Sequence, residues 1–101
     1  MEVIWTKLAI QRVNSNVNYI DQYNFQAAKK WSELIFERTD QLIEYPESGR
    51  IVPEYNHPDL REIIEGNYRI IYRIRKPKRV IYITTVLHVR QKPTQPGKLF
   101  R

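Results

Sequence analysis

A chain of 101 residues makes one small domain, and 42% hydrophobic content with Tyr 7, Phe 3 and Trp 2 is enough to build a packed core without staples. It contains no cysteine, which excludes disulfides, thiolate metal sites and a cysteine nucleophile and suits a reducing compartment. Lys+Arg 17 against Asp+Glu 11 gives a net charge of +6, which suits polyanionic partners (nucleic acid, the ribosome, an acidic protein segment) or, on equal terms, solubility alone.

The chain opens on Met1-Glu2-Val3-Ile4-Trp5, which has neither the basic start nor the cleavage site of a signal peptide. No apolar run is long enough to span a membrane, so a cytoplasmic protein is expected. Val3 to Trp5 suit a buried first strand, and Thr6 is placed to cap a following helix. Ala9, Val13, Val17 and Ile20 then recur at helical spacing, with Gln11, Arg12, Asn14 and Asn18 off the stripe. Tyr23-Asn24 breaks the pattern, and Asn24 caps a second helix whose stripe is Ala28, Trp31, Ile35 and Leu42, widened by Leu34. Tyr45-Pro46 ends it, because a residue before proline is pushed out of the α region. So short a link predicts an antiparallel helix pair.

The segment 46–58 carries Pro46, Gly49, Pro53 and Pro58 and reads as a loop. It is long enough to carry function, but a plain connector pinned by Ile51 and Val52 is the preferred reading. Leu60 to Glu65 and Tyr68 to Arg75 flank Gly66-Asn67, a two-residue hairpin signal. A turn around Pro77 leads to a last strand from Val80 to about Val89, and residues 91–101 form a tail. The whole reads as a single α+β domain: a strand, a helix hairpin, then a three-stranded antiparallel meander with the helices on one sheet face.

With both hairpin loops set at two residues, Tyr68, Ile70, Tyr72 and Ile74 share a face with Ile63, Ile81, Ile83, Leu87 and Val89. The other face receives Glu62, Ile64, Arg69, Ile71, Arg73, Tyr82, Thr84, Val86, His88 and Arg90. Arginine forks suit phosphates and tyrosine offers a stacking surface, so this face is the candidate site. The plainer reading pairs these arginines with Glu62, Glu65 or helix carboxylates. It is preferred for Arg73 and Arg75, and the two readings are balanced for Arg69. Arg61 falls on the apolar-face parity, where an ion pair that supports the fold is its expected job. His88 is a possible general acid or base, while His57 in the proline-rich loop reads as structural. Trp5 and Trp31 lie on apolar stripes and read as core. No metal-ligand spacing, phosphate-cradling glycine loop or serine–histidine–acid pattern is present, so no cofactor is expected.

The ordered set Trp5-x3-Ala9, Ala27-Ala28, Leu42-x3-Pro46-x2-Gly49-Arg50-x2-Pro53-Glu54, Leu60-Arg61-Glu62, Tyr68-Arg69-Ile70-x-Tyr72-Arg73-Ile74 and Val86-x-His88-x-Arg90 resembles the RelE/ParE superfamily of type II toxin–antitoxin toxins. The resemblance covers residues 3–90 and implies the same strand, helix-hairpin and meander fold. It also implies a cognate antitoxin whose flexible segment wraps the toxin, with operator DNA contacted only through that antitoxin.

The superfamily divides by target. The RelE-like branch consists of ribosome-dependent endoribonucleases, and the ParE-like branch inhibits DNA gyrase. Metal-free RNA cleavage needs an activated 2′-hydroxyl, a stabilised phosphate and a protonated leaving oxygen. On that reading Arg69, His88 and Arg90 would be the catalytic residues. The strand before the Tyr-Arg-Ile motif offers no lysine pair, however, and nothing after Arg90 is tyrosine or histidine. The Gly49-Arg50 loop and the Leu60-Arg61-Glu62 strand look more like the ParE-like branch. The expected function is therefore growth inhibition by binding gyrase, with Arg61, Arg69, Arg73, Tyr82, His88 and Arg90 as candidate contacts. The alternatives are the ribosome-dependent nuclease, acting on ribosome and messenger RNA, and a non-toxic member that binds only antitoxin and operator.

Overall fold

The computed structural model describes residues 1–93. Its elements in chain order are β1 (Glu2–Trp5), α1 (Lys7–Asp21), α2 (Phe25–Glu44), β2 (Arg50–Ile51), β3 (Leu60–Glu65), β4 (Tyr68–Arg75) and β5 (Val80–His88). The strands form one sheet in the order β1-β5-β4-β3-β2. All neighbours are antiparallel except β1, which runs parallel to β5. The predicted meander is β3-β4-β5. The helix hairpin carries the chain from β1 at one sheet edge to β2 at the other, and the meander then brings β5 back parallel beside β1.

The capping chemistry sets the helix starts where the sequence puts them. Thr6 Oγ1 accepts from the Ala9 N–H at 3.2 Å and donates to the Ile83 carbonyl at 2.8 Å, so one hydroxyl caps α1 and ties it to the sheet. Asn24 Oδ1 accepts from the Ala27 N–H at 3.0 Å and starts α2. The helices bury Ala9, Val13, Ile35 and Leu42 against Ile63, Ile70, Tyr72, Ile74, Ile81, Ile83 and Val86. Trp5 and Trp31 are half-buried and pack on this cluster.

Three expectations need correction. The segment 46–58 is not only a connector: Arg50 and Ile51 add a short edge strand to β3. Val52 is fully buried, but the Ile51 side chain is exposed at the sheet edge, and this residue is held by its strand pairing with Arg61.

The second correction is of register. Gly66-Asn67 does turn β3 into β4, with Glu65 opposite Tyr68 and Gly66 at φ +57. Beyond the Lys76–Lys78 turn, Arg73 faces Tyr82 and Tyr72 faces Ile83 as expected. A bulge then intervenes. Ile71 faces Thr85, Ile70 faces Val86, Arg69 faces Leu87 and Tyr68 faces His88, so one residue of β5 is extra. Every side chain beyond it changes face. Val86 and His88 move to the helix-covered face, and Leu87 moves to the outer face beside Val52 and Ile71.

The third concerns the end of the chain. β5 stops at His88, and Val89 and Arg90 are exposed outside it. Of the predicted tail, residues 94–101 lie outside the described residues.

Candidate functional site

The outer face is built around a fully buried acid. Glu62 stands on β3 opposite Ile71, so its carboxylate projects away from the helices and next to Arg69. Its Oε1 accepts from Arg69 Nε at 2.7 Å, and its Oε2 accepts from Arg50 Nε at 2.7 Å. Arg69 is itself buried. Its two terminal nitrogens donate to Glu54 Oε2 and Oε1 at 2.8 and 2.7 Å, a bidentate fork. The result is a chain of alternating charges, Arg50–Glu62–Arg69–Glu54, that joins the edge strand, two central strands and the loop after Val52.

Burial makes the two inner members, Glu62 and Arg69, depend on their partners, because a buried charge is tolerable only when paired and hydrogen-bonded. The Arg69 hydrogen bonds hold the Glu54 carboxyl down at about 2, against the opposing effect of its partial burial. The same fork, reinforced by Glu62, raises Arg69 above the usual arginine range although burial opposes this. The sign for stability follows from the lowered acid. Above pH 4.5 Glu54 is ionised whether the chain is folded or not, and its contribution is complete. Between pH 4.5 and about 2 the unfolded chain takes up a proton that the folded chain refuses, so stability falls with pH. Urea midpoints measured from pH 6 to pH 3 are expected to fall in the lower part of that range. The fall should be shallower in Glu54→Gln, which starts from a lower midpoint.

A second network secures the loop before β2. Tyr72 is fully buried on β4, and its hydroxyl donates to the Pro46 carbonyl at 2.8 Å and accepts from the Gly49 N–H at 3.0 Å. Burial raises the Tyr72 phenol above its ordinary range, which keeps it a neutral donor. Arg61 Nη1 donates to the Gly49 carbonyl at 3.0 Å, and Arg61 Nε donates to the Pro58 carbonyl at 2.9 Å. Arg61 therefore clamps backbone on both sides of the loop through carbonyls, not through the ion pair its position suggests. His57 also serves the loop, its Nδ1 accepting from the Asp59 N–H at 3.1 Å.

The six sequence candidates thus do not form one surface. Arg69 and Arg61 are inside the two networks. Arg73 and Tyr82 do sit together on the outer face, with the Arg73 guanidinium 5.5 Å from the Tyr82 ring centroid, a cation–π contact. Burial, with repulsion from Arg75 added, lowers the Arg73 pKa from its usual value. His88 is on the opposite face, edge-on to Tyr68 at 5.6 Å. Arg90 is exposed, and its N–H donates to His88 Nδ1 at 3.1 Å. The bulge is what separates His88 from Arg69, and no alternation rule reveals it.

Sequence reasoning did offer Glu62 as a partner for the arginines, but it missed Glu54 and Arg50. The available signal was the unusual acid at an outward position flanked by Leu60 and Ile64 on the same face of β3. Among the described residues, no group of three or more His, Cys, Asp or Glu is placed to hold a metal ion. None of their helices is long and apolar enough to cross a membrane.

Two helices lie on one face of a strand-bordered meander, with the Pro46–Arg50 loop locked to β3 and β4, an α+β domain. Residues 3–93 match the family described as ParE toxin of type II toxin-antitoxin system, parDE, and the chain belongs to that family. Among solved structures it is similar to the chromosomal ParDE TA system from P. aeruginosa, with a TM-score of 0.72 and 19% identity. That similarity covers 87% of this chain and 95% of the other, and it is a likeness of fold. No curated protein sequence matches.

Proposed function

We propose that this ParE-family toxin arrests growth by binding an essential target, DNA gyrase, in the cytoplasm, and that a cognate antitoxin neutralises it. Operator DNA is contacted only through that antitoxin. The observation that carries this reading is the engagement of Arg69: all three guanidinium nitrogens are held by Glu62 and Glu54. A guanidinium so occupied is poorly placed to stabilise the phosphate of a cleavage transition state, which needs donors aimed at the developing charge. The separation of His88 from that face by the bulge also argues against a nuclease set. Binding surfaces do not need that convergence. Tyr82, whose ring packs on the largely buried Arg73, and the exposed Arg90 are the sequence candidates left for target contact.

Induction without the antitoxin should stop growth, and co-expression of the antitoxin should restore it. In the same cells and on programmed ribosomes, messenger RNA should stay intact. Unimpaired growth would reduce the chain to a non-toxic binder of antitoxin and operator. Ribosome-dependent cleavage abolished by Arg69→Ala without loss of folding would make it a nuclease.

A further inference from the structure

A cleft of about 190 Å³ opens on the helix side of the sheet, between α1 and the ends of β4 and β5. It is lined by Arg12, Ser15, Asn16, Tyr68, Val86, His88 and Gln91. No carboxylate is among these residues, and Arg12 brings a positive charge. Arg12, Ser15 and Asn16 stand at i, i+3 and i+4 of α1, one face of the helix.

The hydrogen bonds within the cleft occupy acceptors and spare donors. Asn16 Oδ1 accepts from the Tyr68 hydroxyl at 2.9 Å, which fixes the amide, while its Nδ2 is buried without an acceptor. His88 Nδ1 accepts from the Arg90 N–H, so the neutral ring carries its proton on Nε2. Gln91 Oε1 accepts from the His88 N–H at 2.8 Å, leaving the Gln91 amino group as a donor. A buried donor with no acceptor is costly, so the Asn16 amide gains by turning toward an oxygen that enters the cleft beside it.

We infer that this cleft binds a carboxylate, presented by an acidic side chain of a protein partner. One guanidinium matches a single negative charge, and neutral donors around it suit a planar pair of oxygens better than a phosphate dianion. In the setting of the proposed function the partner is the neutralising antitoxin. The site itself rests on the cleft and not on that reading.

The test is titration of the isotope-labelled protein with N-acetylglutamate N-methylamide, whose only carboxylate is its side chain, followed by side-chain amide and imidazole resonances, with N-acetylglutamine N-methylamide and inorganic phosphate as parallel probes. Asn16 and His88 resonances are expected to move with the glutamate probe and not with the glutamine probe. Arg12→Gln should weaken binding at least roughly tenfold. Asn16→Asp keeps an acceptor for Tyr68 but places a carboxylate in the cleft, and should abolish binding while the fold persists by circular dichroism. Equal response to the glutamine probe, response to phosphate alone, or no response at these residues would each overturn the inference. None of these outcomes depends on toxicity, so failure here and failure of the proposed function are told apart.

Discussion

Arg69→Ala is expected to lower stability by roughly 3–5 kcal/mol, the effect of stranding a buried charge after its partner is removed. Glu62 is the stranded group: its side chain is fully buried, and only Arg50, itself 59% exposed, would remain to balance it. For a domain of this length each kcal/mol moves Tm by roughly 4–8 °C, so thermal unfolding should fall by more than about 12 °C. A double variant, Arg69→Met with Glu62→Leu, removes both buried charges and leaves Glu54 and Arg50 near solvent. It should be much more stable than the sum of the single changes implies, because the two sites share one network. A change within about 0.5 kcal/mol for Arg69→Ala would mean that the network contributes little and that Arg69 is kept for another purpose.

Gly49→Ala should destabilise by about 2–3 kcal/mol, at the upper end of the range for overpacking. An added Cβ would lie 2.6 Å from the Tyr72 hydroxyl oxygen and 2.7 Å from the Glu62 backbone carbonyl. Tyr72→Phe removes the hydroxyl, but the ring Cε1, 2.8 Å from the added Cβ, and the strand backbone stay. Tyr72→Phe in the Gly49→Ala background should therefore give little relief. Gly66→Ala is the informative contrast. No atom lies within 4 Å of its added Cβ, but Gly66 sits at φ +57. Its cost should be only the roughly 1–2 kcal/mol of a left-handed alanine. Chemical denaturation of the three variants measures the difference, and equal losses at positions 49 and 66 would contradict a steric role for Gly49.

These two residues show how far the sequence could be read. Helix starts at Thr6 and Asn24, the end at Tyr45-Pro46 and the Gly66-Asn67 turn were legible because each depends on local chemistry that a few adjacent residues supply. The apolar stripes were legible for the same reason, since period and burial go together. Arg69 was legible as the residue to question, and Glu62 as one possible answer. Glu54 was not, because it arrives from a loop whose path is set by Val52 burying against Ile71 and Leu87. The bulge at Thr84–Thr85 was invisible for a different reason: either register leaves apolar residues on both faces of β5, since Val86 and Leu87 serve equally well on either side. The cleft at Arg12 and His88 exists only because of that bulge. Much of the resemblance to toxins thus rests on residues that lock loops to the sheet, Pro46, Gly49, Arg50, Glu54, Arg61, Glu62 and Arg69 among them.

The proposed action on gyrase, as opposed to cleavage of RNA, meets its sharpest test when the purified protein is added to gyrase, relaxed plasmid and ATP. Supercoiling is expected to fall, with cleaved DNA–gyrase complexes accumulating as the protein is raised to excess. Full supercoiling and no cleaved complex at a molar excess of folded protein would contradict it.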